Sequence, residues 1–187
     1  MKRVTTAVAH RGPNRWIMIG LSASCAAATF LSAHYAHGQS TPPVKHHEVP
    51  PGPRPYDTAA DPQRDLIAAM ADARKTGKRV MVVFGANWCP DCRVLDMEFH
   101  SGSKAAALVA KRYDVVKVDV GDFDKNLDFA KLYGEPIKKG IPSIVIVTPR
   151  NEVVYQTEAG ELADARTMGS AGIYTFFKDK ADKSAGS

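Results

Sequence analysis

Cysteine is scarce in this chain of 187 residues: Cys25, Cys89 and Cys92 are the full set, and only the last two lie beyond residue 38. So few thiols exclude a disulfide-stapled scaffold, and no second cysteine pair exists to complete a four-ligand zinc site. Tryptophan is rarer still, with Trp16 and Trp88. Acid is missing from the first 38 residues, which hold Lys2, Arg3, Arg11 and Arg15. The formal charge of +5 resides mainly there, because beyond that segment twenty-one Lys and Arg face twenty Asp and Glu. No Lys/Arg stripe with interleaved aromatics remains, so nucleic acid is not an expected partner. No internal repeat is visible. What is present, 44% hydrophobic and 8% aromatic residues, suffices for one globular core.

The acid-free segment reads as a secretory signal over residues 1–38. A basic start ends near Arg15, an apolar stretch runs from Trp16 to Ala33, and small residues follow at Ala36 and Gly38. Cleavage is expected between Gly38 and Gln39. The alternative is an uncleaved anchor, since Trp16 to Ala36 carries no formal charge. A lipoprotein site at Cys25 lacks the usual leucine, with Ser22 in its place. Either way the domain is expected outside the cytoplasm, in the periplasm or an equivalent exported location. Cys25 then leaves with a cleaved leader.

Residues 39–60 form a proline-rich linker in this reading; seven of the twelve prolines fall between Thr41 and Pro62. His46 and His47 lie within it as solvated side chains rather than metal ligands. A folded domain is expected over 61–181, with a flexible tail at 182–187. Asp61-Pro62 is a helix start, and Leu66, Ile67, Met70 and Ala73 keep helical spacing up to Gly77. The continuous apolar run "RVMVVFGA" (79–86) predicts a strand buried on both faces. "CRVLDMEF" and "KAAALVAKRY" are two pieces of helix interrupted by Ser101-Gly102-Ser103. "DVVKVDV" (114–120) is a strand, and "NLDFAKLYG" a short helix. "SIVIVT" (143–148) and "EVVYQT" (152–157) form a hairpin, and a closing helix is expected over 161–180 despite Gly169 and Gly172. The order predicts an α/β fold, a central mixed β-sheet flanked by helices.

The chemistry is carried by "NWCPDC", Asn87 to Cys92. A bridge between Cys89 and Cys92 closes too short a loop to stabilise the fold appreciably. Cys89 sits at a strand's C-terminal end and Cys92 within the first turn of the next helix, so unpaired N–H groups point at the first sulfur. That setting favours thiolate, and the spacing suits thiol–disulfide exchange. The zinc alternative would have to recruit His100 or the linker histidines, and no metal site is expected.

"VVFGANWCPDC" resembles the active-site segment of the thioredoxin superfamily, and "YGEPIKKGIPSIVIV" resembles the same family's segment around its cis-proline. The two motifs occur in the family's order and the likeness covers roughly Asp61 to Lys180. The interrupted helix more closely resembles the exported thioredoxin-like reductases, including the C-terminal domain of DsbD, than cytosolic thioredoxin. The resemblance implies a thioredoxin fold, with Cys89 as nucleophile, Cys92 as resolving thiol and Pro142 as a cis residue against them. It also implies a substrate-facing surface of Trp88, Pro90, Asp91, Ile141 and Pro142.

Such proteins usually bury an acid six residues before the first cysteine; here that position is Val83. Asp96, one turn beyond Cys92, is the candidate substitute for proton transfer, the alternative being a solvated helical aspartate. Asp91 between the sulfurs disfavours the Cys89 thiolate, with Arg93 as a partial offset, which points to a reducing couple. The expected function is an exported thiol–disulfide oxidoreductase that reduces protein disulfides through the Cys89/Cys92 pair. It needs no bound cofactor and acts as a monomer. Its partners are a disulfide-bearing substrate protein and an upstream thiol reductant such as a membrane thiol carrier. The alternatives are an oxidase or isomerase of the same fold, and a thiol chaperone for metal or apocytochrome delivery.

Overall fold

The computed structural model describes residues 47–184. The segment expected to be a signal or anchor, Cys25, His46 and the last residues of the tail lie outside the described residues. The elements in chain order are α1 (Pro62–Thr76), β1 (Arg79–Gly85), α2 (Pro90–Phe99), α3 (Lys104–Arg112) and β2 (Tyr113–Asp119). They continue with α4 (Leu127–Lys131), a 3₁₀ turn (Pro136–Lys139), β3 (Ser143–Val147), β4 (Val153–Gln156) and α5 (Ala165–Ser184).

Local chemistry sets most of these boundaries. Asp61 caps α1 by accepting the N–H groups of Gln63 and Arg64, and Pro62 occupies the first helical position. At the other end Gly77 turns left-handed with φ 74° and returns its N–H to the Ala73 carbonyl. Ser103 caps α3 through the N–H of Ala106, so the Ser101–Ser103 interruption separates two helices rather than bending one.

The sheet order is β2-β1-β3-β4. β1 runs parallel to β2, while β1/β3 and β3/β4 are antiparallel. β1 is buried from Val80 to Gly85 because helices cover both of its faces. One layer of core joins Leu66 and Ala73 of α1 to Val80, Val82, Phe84, Val116 and Val118, with Phe129 of α4. The other joins Leu95, Ala105, Val109, Ile173 and Phe177 to Met81, Val83, Ile144 and Ile146.

Two expectations are corrected. The closing helix begins at Ala165 rather than 161, because the Glu161 carboxylate accepts the N–H groups of Glu158 and Ala159 in a turn ahead of it. It is also kinked at Gly169, whose φ of 61° and ψ of 173° are not helical. The later part of the proline-rich stretch is not a free linker either. Tyr56 is only 3% exposed, and it packs with Cys89, Cys92 and Ala86. Its backbone N–H donates to Asn87 Oδ1 at 3.0 Å, and its carbonyl accepts from Asn87 Nδ2 at 2.8 Å. A buried side-chain amide thereby replaces the neighbouring strand that this segment lacks.

Candidate active site

β1 delivers the chain to the site and α2 leads it away. Cys89 is the N-cap of α2, in extended conformation, and its sulfur accepts the N–H of Cys92 at 3.1 Å. The two cysteines form a disulfide with their Cα atoms 5.3 Å apart, and both are buried. When the pair is reduced, the same N–H and the positive end of α2 stabilise a thiolate on Cys89. Pro90, at the first helical position, is exposed and leaves the first turn open to an incoming chain.

Opposite the helix end stands the loop before β3. The Ile141–Pro142 peptide is cis, and the Ile141 carbonyl oxygen faces Cys89 Sγ at 3.6 Å. A reduced Cys89 thiol can donate to that oxygen. Ser143 fastens the loop from within, donating its hydroxyl to the Pro136 carbonyl at 2.8 Å. The structure thus brings Cys89 and Cys92 together with Ile141 and Pro142, Cys89 and Ile141 being 52 residues apart in sequence.

Trp88 flanks the pair. Its Nε1 donates to the Gly121 carbonyl at 2.8 Å, its ring stacks on His47 at 3.9 Å, and Phe123 lies 6.0 Å away. His47 is held in turn by Asp122, which accepts from its backbone N–H at 3.0 Å and meets Nδ1 at 2.8 Å. Beside Phe123 lies a groove lined by Leu127, Ile137 and Gly140, with Lys131, Glu135 and Lys138 at its sides.

Asp91 is placed differently from the sequence reading. It is 6% exposed rather than displayed to a substrate. Its Oδ1 takes the backbone N–H of Arg166 at 2.9 Å, and both its oxygens meet Arg166 Nε at 3.2 Å. The counter-ion is therefore Arg166 of α5. Arg93, expected in that role, is turned to the Pro51 carbonyl, to which its Nη2 donates at 2.7 Å.

Asp96 lies one turn beyond Cys92, as the helix requires, but its carboxylate is engaged in a close ion pair with Lys117 and lies 3.7 Å from His100 Nδ1. A second carboxylate lies nearby on β2. Val83 and Gly85 alternate onto one face of β1, and the parallel register sets them beside Lys117 and Asp119. Asp119 is 5% exposed, receives the Gly121 N–H and has Lys125 Nζ at 3.7 Å. Burial holds its carboxyl above the ordinary Asp range in spite of those partners. The acid absent at Val83 thus has a buried counterpart on the adjacent strand.

Sequence reasoning passed over Tyr56, Asn87, Asp119 and Arg166. A polar Asn87 amid the buried run ending at Cys89 was the one available signal. The other three reach the site through tertiary packing alone.

The thioredoxin-like family matches residues 61–149. No curated protein matches the chain. Among solved structures, a disulphide isomerase from Xylella fastidiosa Temecula1 is similar, with 48% identity and a TM-score of 0.64; the match covers 67% of this chain and 95% of that one. Together with the mixed sheet and the Cys89–Cys92 pair beside Pro142, this likeness establishes that the chain belongs to the thioredoxin superfamily.

Proposed function

We propose that the chain is an exported thiol–disulfide oxidoreductase whose physiological direction is reduction of protein disulfides. The observation that carries the direction is the charge inside the Cys89–Cys92 turn, where the buried carboxylate of Asp91 opposes a thiolate and Arg166 only offsets it. Stabilisation of the Cys89 thiolate is left to the end of α2 and one N–H group. Strong oxidants of this chemistry depend on a reduced form that is stabilised well beyond that.

In the forward cycle the Cys89 thiolate attacks a substrate disulfide and releases one substrate thiol. Cys92 then attacks Cys89 Sγ, which frees the second thiol and closes the Cys89–Cys92 bond. The substrate chain lies over Pro90 and Trp88, takes main-chain contacts at Ile141 and Pro142, and rests apolar side chains in the groove by Phe123. A membrane thiol carrier recharges the pair; no bound cofactor is required, and the protein acts as a monomer.

Equilibration with dithiol buffers tests the direction. A potential near that of thioredoxin, about −270 mV, is expected, together with reduction of insulin; a value near about −120 mV would overturn the reading. The likeness to the Xylella disulphide isomerase favours isomerisation as the second reading. Reactivation of scrambled ribonuclease at a rate exceeding simple reduction would select it.

A further inference from the structure

We propose that Tyr56 is the proton relay for the resolving thiol: its hydroxyl, packed with the Cys92 sulfur over Gly85, passes the Cys92 proton to the buried carboxylate of Asp119. This rests on the thiol–disulfide reading above and deepens it.

The geometry centres on Gly85. A Cβ built there would collide with the Tyr56 hydroxyl oxygen and stand 2.9 Å from Cys92 Sγ. Hydroxyl and sulfur therefore flank one point, less than twice that distance apart. The absence of a side chain at Gly85 is what lets them approach. Its register partner on β2 is Asp119, so the carboxylate is set one strand away on the same face. Tyr56 is fixed in place by its two hydrogen bonds to Asn87, which lies between Gly85 and Cys89.

The charged groups facing this hydroxyl come from two elements. Asp96 projects from α2 and is paired with Lys117; Asp119 projects from β2, with Lys125 beside it. Burial first, and then the negative charges of Asp96 and Asp119, drive the Tyr56 phenol far above its ordinary range. Tyr56 consequently stays a neutral phenol, whose oxygen can accept the Cys92 S–H while its own O–H is turned to a carboxylate. Of the two carboxylates, Asp96 is held by its close pairing with Lys117. Asp119 is the more buried, and its raised affinity for a proton suits it as acceptor.

In the mixed disulfide, the Cys92 S–H proton moves to the Tyr56 oxygen while the Tyr56 proton moves to Asp119. The Cys92 sulfur attacks Cys89 Sγ, forming the Cys89–Cys92 bond and breaking the bond from Cys89 to the substrate sulfur. The electron pair leaves on the substrate sulfur, which takes a proton from water. The cysteine pair is oxidised by two electrons and the substrate disulfide is reduced by two.

The test is single-turnover kinetics on the full chain. Reduced protein is mixed with a cystine-bridged peptide, quenched in acid, and the mixed disulfide is separated from the closed pair by mass. Tyr56→Phe keeps the ring and removes the hydroxyl. Expected is an unchanged rate of mixed-disulfide formation with resolution slowed on the order of 100-fold near neutral pH. The slowed step should recover as pH rises, because solvent then removes the Cys92 proton. Asp119→Asn should reproduce the same slow, pH-dependent phase, and it serves as the readout if Tyr56→Phe does not fold. Resolution at the unaltered rate and pH dependence in either folded variant overturns the proposal. Failure of the unsubstituted chain to form any mixed disulfide would instead overturn the oxidoreductase reading.

Discussion

Asp91 and Arg166 are joined across 75 residues of chain, the carboxylate receiving the backbone N–H of Arg166 at 2.9 Å and its side-chain Nε at 3.2 Å. The contact ties the turn between the two sulfurs to the start of α5. It also sets the charge that a Cys89 thiolate meets. Removing the cation with Arg166→Gln leaves a buried, uncompensated carboxylate, whereas Asp91→Asn removes the carboxylate itself. The first should raise the Cys89 thiol pKa and make the couple more reducing; the second should do the reverse. Thiolate absorbance on Cys89 and redox titration measure both. Because Arg166 is more than half exposed, the stability loss in Arg166→Gln should stay near 1 kcal/mol.

Cys92→Ala should stop the cycle after its first half, leaving substrates covalently held on Cys89. Cys89→Ala should abolish both attachment and turnover, because the Cys92 N–H and the N-terminal end of α2 stabilise a thiolate on Cys89 and not on Cys92. Non-reducing electrophoresis after exposure to exported proteins distinguishes the two. Capture by Cys89→Ala but not by Cys92→Ala would reverse the assigned roles.

Gly85→Ala forces a methyl group against the Tyr56 hydroxyl and the Cys92 sulfur. An expected loss of about 2 kcal/mol follows from overpacking at a site where Tyr56 and the first turn of α2 leave no room. Urea unfolding of the oxidised protein reads it. No loss would mean that Tyr56 moves aside freely.

Stability should also carry the mark of Asp119. Its carboxyl has a raised pKa in the folded state, so ionisation works against folding. The sign is that of a group whose contribution is full below the unfolded pKa and fades as pH climbs through the folded one. Asp119→Asn should therefore be more stable than the parent at neutral pH, with the difference shrinking toward acid. Midpoints of thermal unfolding across that range check it, and an acid-side advantage for the variant would refute it.

Asn87→Ala deletes both hydrogen bonds that hold the Tyr56 backbone, and a destabilisation of about 2 kcal/mol is expected. Amide exchange should show residues around Tyr56 opening without loss of protection in β1.

The elements and the reactive pair were legible because their signals are local. Continuous apolar runs mark strands covered on both faces, and Asp61-Pro62 and Gly77 mark the ends of a helix through their own backbone geometry. The pairing of Cys89 with Pro142 was legible through two motifs in order. What stayed hidden depends on the sheet. The parallel register that sets Asp119 beside Gly85 has no trace in either strand alone. Arg166 reads as an ordinary surface cation at a helix start until α5 docks against α2. Tyr56 sits among prolines that suppress any periodic pattern, and its place in the core shows only in the folded chain, through its burial and the Asn87 amide.

Tyr56 changes where the working unit begins. The matched family region opens at Asp61, five residues later. A fragment trimmed to that edge would keep both cysteines, the tryptophan and the loop proline, yet lose the aromatic ring beside the second sulfur. Motif-bearing and competent stretches of this polypeptide are therefore different lengths. Excision, grafting or fusion of the module has to be cut upstream of the prolines that look like mere spacer.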